Sequence, residues 1–270
     1  MTLPHPVKRV LMKAGWAHDV ARSLTDSPAD AWRVYAAFWS ILFTENRPQR
    51  RALRLTWKGR RFNYHIGGLG DMGTLVEVFI SGEYAPAHVP PKGTVLDLGA
   101  NTGAAAVCFG IRFPGATIHC YEPDPDNHAL LLQNTCAFPS VTVWNAAVWI
   151  EDGTVTFHAD PVSGNSSSVS RRRDRQQAIP VEAVSLPTAL SRLPGGQADL
   201  VKYDVEGAEY ELFQSVQAFA GIWTMIGEHH HDLGPEPALM ATLSAVFVCD
   251  SRPLSHARSL VHSRRRSHDL

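Results

Sequence analysis

From Val95 onward the chain alternates short apolar runs with helix-patterned stretches, and this alternation constrains the fold more than any other feature. "TVLDLG" reads as a strand and "GAAAVCFGIRF", closed by Pro114-Gly115, as a helix. "ATIHCYEP" is a strand, and "DPDNHALLLQNTCAF" a helix with an Asp N-cap. "VTVWNAAV" is a further strand, followed by "LPTALSRL" (helix), "DLVKYDVEG" (strand), "AEYELFQSVQAFA" (helix), "IWTMIGEHH" (strand), "PEPALMATLSAV" (helix) and "FVCD" (short strand). Such alternation means βαβ units, an α/β class and a mainly parallel sheet with helices on both faces. "GTVTFHA" and "AIPVEAVSL" read as extra strands. The Ser- and Arg-rich stretch at 160–177 reads as a surface loop, and Arg171 to Arg173 either stay solvated or close over a polar substrate.

The first 90 residues differ, so we divide the chain into a helical and hairpin cap segment, 1–90, and a main domain, 91–270. "SPADAWRVYAAFWSILF" starts with Ser27 as N-cap and Pro28 at the first helical position. Trp32, Tyr35, Ala36, Trp39, Leu42 and Phe43 then recur at helical spacing. The stripe reads as a face packed on the main domain, with a homodimer face or a substrate cap as alternatives. "LRLTWKGRRFNYHI" reads as a hairpin turning at Lys58-Gly59, and "GDMGTLVEVFISGEY" as a short helix ending near Gly82.

A net charge of -1 gives no basic excess for nucleic acid, so none is expected as a partner. Cys108, Cys120, Cys136 and Cys249 form no CxxC pair, which argues against a zinc framework and fits reduced thiols in a cytoplasmic protein. No signal-peptide pattern and no membrane-length apolar run are present, so no membrane association is expected. The stretch "HSRRRSH" at 262–268 reads as a frayed basic tail.

In doubly wound sheets, ligands bind beyond the carboxyl ends of the strands. The first strand of the alternating region ends in Asp97-Leu-Gly99-Ala-Asn101-Thr102-Gly103. Gly103 is followed by alanines, so the lysine of a P-loop is missing. Asn101 stands where a dinucleotide fingerprint has its middle glycine, which weakens but does not remove a nicotinamide or flavin reading, and with it an NAD(P)-dependent oxidoreductase. The ligand that remains is S-adenosylmethionine. Asp97 suits its ammonium, Gly99 a close backbone approach, and the N–H groups near Asn101, Thr102 and Gly103 its carboxylate. Glu122, 19 residues after Gly103, stands where an acid meets ribose hydroxyls. Pro123-Asp124-Pro125 begins the next helix; Pro123, Asn145 and Ala146 are expected around the cofactor, Asn145 near adenine, unless Asn145 merely ends its strand.

Together "VLDLGANTG", "CYEPDPDNHALLLQN", "WNAAVWIEDGTVTF" and "DLVKYDVEGAEYELF" resemble the FkbM family of S-adenosylmethionine-dependent methyltransferases. The resemblance covers roughly 70–250, including "VFISGEYAP"; the first 65 or so residues lie outside it. It implies a class I methyltransferase fold, a Rossmann-like doubly wound sheet behind an N-terminal extension. It also implies a cofactor held by the acid-Gly turn and the strand-end glutamate, and acceptors that are hydroxyls of sugars or natural-product scaffolds. The family's strand-end E-x-H pattern is kept as Glu228 and His230.

Methyl transfer to an alcohol needs in-line alignment and a group that takes the proton. Asp204 and Glu206 lie at one strand end, and Glu228 to His231 at the next. Alternation puts Glu228 and His230 on one face. The expected catalytic residues are His230 as base, because imidazole titrates near neutrality, Asp204 as runner-up or orienting group, and Glu228. Glu206 either joins them or only favours the dipole of the helix it begins. His229 and His231 are expected to be partly exposed. Asp204, Glu228 and His230 are chemically able to hold Mg²⁺ or Mn²⁺, but with no H-E-x-x-H spacing no metal is expected. A non-catalytic cofactor-binding partner protein is the remaining alternative.

Overall fold

The computed structural model describes residues 5–44, 50–159 and 177–266. The loop at 160–176, with Arg171 to Arg173, lies outside them. Two helices open the chain, α1 (His5–Ser23) and α2 (Pro28–Phe43). Ser27 caps α2 as the sequence predicts: its Oγ accepts from Asp30 N at 3.1 Å. A hairpin follows, β1 (Arg51–Trp57) and β2 (Arg60–Ile66), turning at Lys58-Gly59, both at positive φ. Then α3 (Gly70–Leu75) runs into a π-helical turn over Val76–Ile80 that ends before Gly82.

The expected stripe on α2 packs only in part: Tyr35 and Leu42 lie against the core cluster, but the rest of the packed face differs. Val34, Ala37 and Phe38 are buried, whereas Trp32, Trp39 and Phe43 are 72%, 52% and 79% exposed. The 3–4 spacing of Val34, Ala37 and Phe38 places them on the buried face, and Trp32, Trp39 and Phe43 are turned outward.

The main sheet has seven strands. Its first half comprises β3 (Thr94–Leu98), α4 (Ala104–Arg112), β4 (Thr117–Tyr121), α5 (Pro125–Thr135) and β5 (Val141–Trp144). A small three-stranded sheet interrupts it, formed by β6 (Ala147–Trp149), β7 (Gly153–Ala159) and β8 (Gln177–Ser185). The second half comprises α6 (Leu186–Ser191), β9 (Leu200–Tyr203), α7 (Glu209–Leu212), β10 (Thr224–His230), α8 (Glu236–Val246), β11 (Phe247–Pro253) and β12 (Arg258–Arg265). The order across the main sheet is β11-β12-β10-β9-β3-β4-β5. The strands β5, β4, β3, β9 and β10 are parallel to one another, and β12 is antiparallel to both β10 and β11. The expected α/β, mostly parallel, doubly wound sheet with an N-terminal extension is therefore observed. Chain order reverses between β3 and β9, so the crevice at their carboxyl ends is where this architecture binds ligands.

Two segments depart from the sequence reading. "AEYELFQSVQAFA" is not one helix: α7 stops at Leu212 and a separate 3₁₀ turn covers Val216–Phe219. Phe213 and Phe219 are both fully buried, and a continuous helix would turn residues six apart onto different faces. The expected basic tail is structured up to Arg266. His262 to Arg265 belong to β12, and the Arg265 guanidinium donates to the carbonyls of Phe219 and Ile222.

One apolar cluster runs through both the N-terminal segment and the first face of the sheet, from Ala17, Leu24 and Phe38 through Leu53 and Met72 to Val95, Phe109 and Phe138. Each fully buried large aliphatic side chain contributes about 1.5–3 kcal/mol, so this shared cluster holds the cap against the sheet. Among the described residues no helix is long and apolar enough to cross a membrane.

Candidate active site

The turn after β3 is shaped by three residues in the left-handed region, Gly99 (φ 72), Asn101 (φ 50) and Gly103 (φ 94). A Cβ on Gly99 would stand 2.0 Å from the Asp204 carbonyl oxygen, so glycine here admits the neighbouring strand end as well as the turn. Asn101 takes the same left-handed conformation at a position where asparagine is tolerated. The turn's N–H groups are engaged within the protein. Asn101 N donates to Glu122 Oε2 (2.8 Å), Thr102 N to Asn101 Oδ1 (2.8 Å) and Gly103 N to Ala100 O (2.9 Å).

Glu122, at the end of β4, accepts from Asn101 N with one oxygen and from Asp124 N (2.9 Å) with the other. It thus ties the β3 and β4 loops together, while Asp124 separately caps α5. Burial pushes its carboxyl up to about 7, against the pull of those two N–H groups. Asn145 donates to the carbonyls of Glu122 and Pro123, bracing the same loop, and Ala146 beside it is buried. Asp97 is fully buried and ion-paired with Lys202, Nζ to Oδ1 3.1 Å. Lys202 Nζ also donates to Gly99 O at 2.7 Å. Burial raises the Asp97 carboxyl and Lys202 opposes that rise. Asp97 Oδ2 makes no hydrogen bond among the described residues and remains the turn's available acceptor.

A second layer comes from outside the expected site. Tyr64 of β2 places its hydroxyl 3.0 Å from Thr102 Oγ1, and Thr102 Oγ1 donates to Asp71 Oδ1 at 3.2 Å. Asn134 of α5 donates to Thr102 O (2.8 Å) and His65 O (3.0 Å). The cap therefore reaches the turn after β3 directly.

The other half of the crevice is a carboxylate cluster around His230. The turn after β9 carries Glu206 at φ 50 and Gly207 at φ 102. His230 Nε2 lies 3.8 Å from Asp204 Oδ1, 3.7 Å from Glu206 Oε2 and 3.9 Å from Glu228 Oε2. Its Nδ1 lies 3.0 Å from Glu209 Oε1, which also accepts from His230 N. Glu209 itself is fully buried and takes Gly207 N on its other oxygen. Burial pulls the imidazole down, but the Glu209 hydrogen bond and the Asp204 charge outweigh it and push His230 up to about 9. An imidazole near neutrality was the reason for preferring His230 as base, and these surroundings do not provide one. Burial, together with Asp204 and Glu83, raises Glu228, and Arg258 donates to it at 2.8 Å.

His229 was expected at the surface and is instead fully buried on the opposite face, Nε2 2.9 Å from the Tyr203 hydroxyl. Burial and the two flanking histidines press it down to about 4. His231, partly exposed, meets Ser259 Oγ and Glu236. Glu209, Arg258 and Glu83 were not singled out. Glu209 and Glu83 stood in view inside "DVEGAEYE" and "ISGEYAP", whereas Arg258 reaches the site only because β12 folds back beside β10. Asp204, Glu228 and His230 offer ligand atoms that all lie within 4.8 Å of one another.

Comparison with known proteins identifies a family. The model of the methyltransferase FkbM domain matches residues 97–248, which contain the turn, Glu122 and the whole His230 cluster except Arg258 and Glu83. The chain is 27% identical to methyltransferase sdnD of Sordaria araneosa, over 52% of this chain and 66% of that protein. It is 26% identical to 2-O-methyltransferase NoeI of Sinorhizobium fredii, over 45% of this chain and 56% of that one. The chain thus covers less than two thirds of either relative. Among solved structures it is similar to T. thermophilus 16S rRNA N2 G1207 methyltransferase in complex with AdoMet and guanosine (15% identity, TM-score 0.43, 80% of this chain and 51% of that one). It is also similar to human methyltransferase-like protein 13 in complex with SAH (15%, TM-score 0.41, 66% and 73%). Likeness of that degree carries no argument about this chain. The family model, by contrast, spans more than half of it: the chain belongs to the FkbM methyltransferase family.

Proposed function

We propose that this protein transfers a methyl group from S-adenosylmethionine to a hydroxyl of a small molecule, a sugar or a natural-product scaffold. The observation that carries the reading is the double position of Asp204. Its backbone packs on the cofactor turn, donating to Leu98 O at 3.0 Å and meeting Gly99, while its carboxylate belongs to the His230 cluster. A hydroxyl received by the cluster is therefore beside the turn. The relative named a 2-O-methyltransferase supports a hydroxyl as the acceptor group.

The turn fits the cofactor's chemistry. Asp97 Oδ2 is a buried acceptor for an ammonium, and Glu122 is the strand-end acid for ribose hydroxyls. When bound, S-adenosylmethionine supplies an electrophilic methyl carbon on a sulfonium. The chain's contribution is positioning: Gly99, Asn101 and Gly103 set the turn, and Glu122 locks it to β4. Asp204, Glu228 and His230 would receive and orient the acceptor hydroxyl beside the turn, as methyl transfer from the bound cofactor requires. The hydroxyl proton passes to this cluster, and Asp204, its most exposed member at 31%, is the exit to water.

Calorimetry with S-adenosylhomocysteine, followed by mass spectrometry of a panel of hydroxylated acceptors, tests the reading. The expected result is binding at one site, weakened by Asp97→Ala, and a product heavier by one methylene. Absence of binding together with an unaffected Asp97→Ala variant would overturn it.

A further inference from the structure

We propose that Asp204, Glu228 and His230 bind one divalent cation of the Mn²⁺/Mg²⁺ class on the acceptor side of the crevice. The site rests on the reading of this crevice as a methyl-transfer site and adds to it a second ligand. Four observations support it.

The ligand atoms converge. With His230 Nε2 3.8 Å from Asp204 Oδ1 and 3.9 Å from Glu228 Oε2, and all three atoms within 4.8 Å, a point about 2.2–2.5 Å from each exists between them. That is close to the metal–oxygen and metal–nitrogen distances of such ions.

His230 is built as a ligand is built. Its side chain is 4% exposed, and among the described residues Nε2 makes no hydrogen bond, a costly state for a buried polar atom that has no function. A carboxylate only accepts, so Nδ1 donates to Glu209, and Nε2 is the nitrogen that faces the other carboxylates, where a cation would take the place of its proton. Carboxylate-to-imidazole bonding of this kind fixes the tautomer and aim of metal-ligating histidines. Arg258 orients Glu228 in the same way through Oε2, and leaves that carboxylate further lone pairs.

The local charge is unbalanced. Glu206 Oε2 is 3.7 Å from Nε2, and Glu83, 4% exposed, acts on Glu228 from the cap side. Among the described residues Arg258 pairs with Glu228, and Lys202 is committed to Asp97. A dication between the carboxylates restores the balance.

Three protein ligands leave coordination positions open. Two oxygens of an acceptor, the hydroxyl to be methylated and a neighbouring hydroxyl or carbonyl, fill two of them. The cation then lowers the hydroxyl's pKa and fixes its direction. The acceptor class this implies is one with an adjacent oxygen pair, such as a vicinal diol.

The test uses the full chain after exhaustive chelation, titrated with Mn²⁺ and followed by loss of the free-ion electron paramagnetic resonance signal. One Mn²⁺ per chain is expected. Asp204→Asn and Glu228→Gln should each weaken binding at least about tenfold, and Glu209→Gln about tenfold by freeing the imidazole. Circular dichroism and affinity for S-adenosylhomocysteine, both unchanged, show that the variants fold. No stoichiometric Mn²⁺, or binding unaltered in both Asp204→Asn and Glu228→Gln, overturns the site. So does turnover that survives chelation undiminished. S-adenosylhomocysteine binding by the chelated protein is read separately: its loss would sink the methyl-transfer reading and leave the cation site standing.

Discussion

A buried carboxyl whose oxygens both accept backbone N–H bonds, yet which is held at about 7, is unusual, and Glu122 has this state. Its burial opposes ionisation, Asp124 adds to that, and Lys202 works against it. Ribose hydroxyls donating to Glu122 would favour its ionised form, so its pKa falls on binding and a proton is released. Affinity for S-adenosylhomocysteine should therefore climb with pH up to about 7, by at most about tenfold per unit, and then level off. Calorimetry across pH 5.5–8.5 measures this, and Glu122→Gln should flatten the profile. The same raised pKa makes the free fold lose stability as pH rises from about 4.5 to about 7, because the native state holds the proton longer. Gly99 makes a second prediction at this scale. Alanine there meets a carbonyl oxygen at 2.0 Å on a backbone of φ 72, so Gly99→Ala should lose about 3 kcal/mol or more in urea unfolding. Asp97, Glu122 and the Glu228/His230 pair are candidates by residue type at a strand end, and the fold places them toward the carboxyl ends of β3, β4 and β10. Glu209 stands in view in "DVEGAEYE", but its partner His230 is 21 residues away, and nothing local distinguishes an acid that orients a histidine from one on a helix surface.

Among elements, sequence resolved best what is local. The caps at Ser27 and Asp124, the Lys58-Gly59 turn and the strand–helix alternation each follow from residues within a few positions. The helices α2 and α7 were misread where tertiary packing decided. On α2 two apolar stripes compete, and pattern alone favours the bulkier one; the structure buries the other. That choice is measurable. Phe38→Ala, in the buried stripe, should cost about 3–5 kcal/mol in denaturant unfolding, whereas Trp39→Ala should stay within about 1 kcal/mol. Equal losses would mean that the faces are exchanged. The strand β2 offers a parallel test, since its Tyr64 hydroxyl touches Thr102 in the cofactor turn. Removing that hydroxyl in Tyr64→Phe should cost about 1 kcal/mol of stability and weaken S-adenosylhomocysteine binding, with no contact to the ligand required.

At the scale of the molecule, the division at residue 90 marks a change of pattern rather than a separate folding unit. Among the described residues the cap's buried apolar side chains share one cluster with the sheet: Leu24, Leu53 and Tyr64 belong to the cluster that also contains Val95, Val107 and Leu131. Polar links cross the same boundary. The Arg112 guanidinium donates to the carbonyls of Tyr84, Ala85 and Ala87, and the Asn134 side chain bonds the backbone of His65. An interface made of core residues and part-buried hydrogen bonds does not open without exposing both sides. Cap and sheet should therefore unfold together, in one calorimetric transition whose van't Hoff and calorimetric enthalpies agree. S-adenosylhomocysteine should move that whole transition upward, because ligand binding to the native state stabilises everything that unfolds with the site. Two resolved transitions, with only the upper one responding to ligand, would instead make residues 1–90 an independent domain. The Tyr64 contact with the turn would then have to be a docking contact between domains.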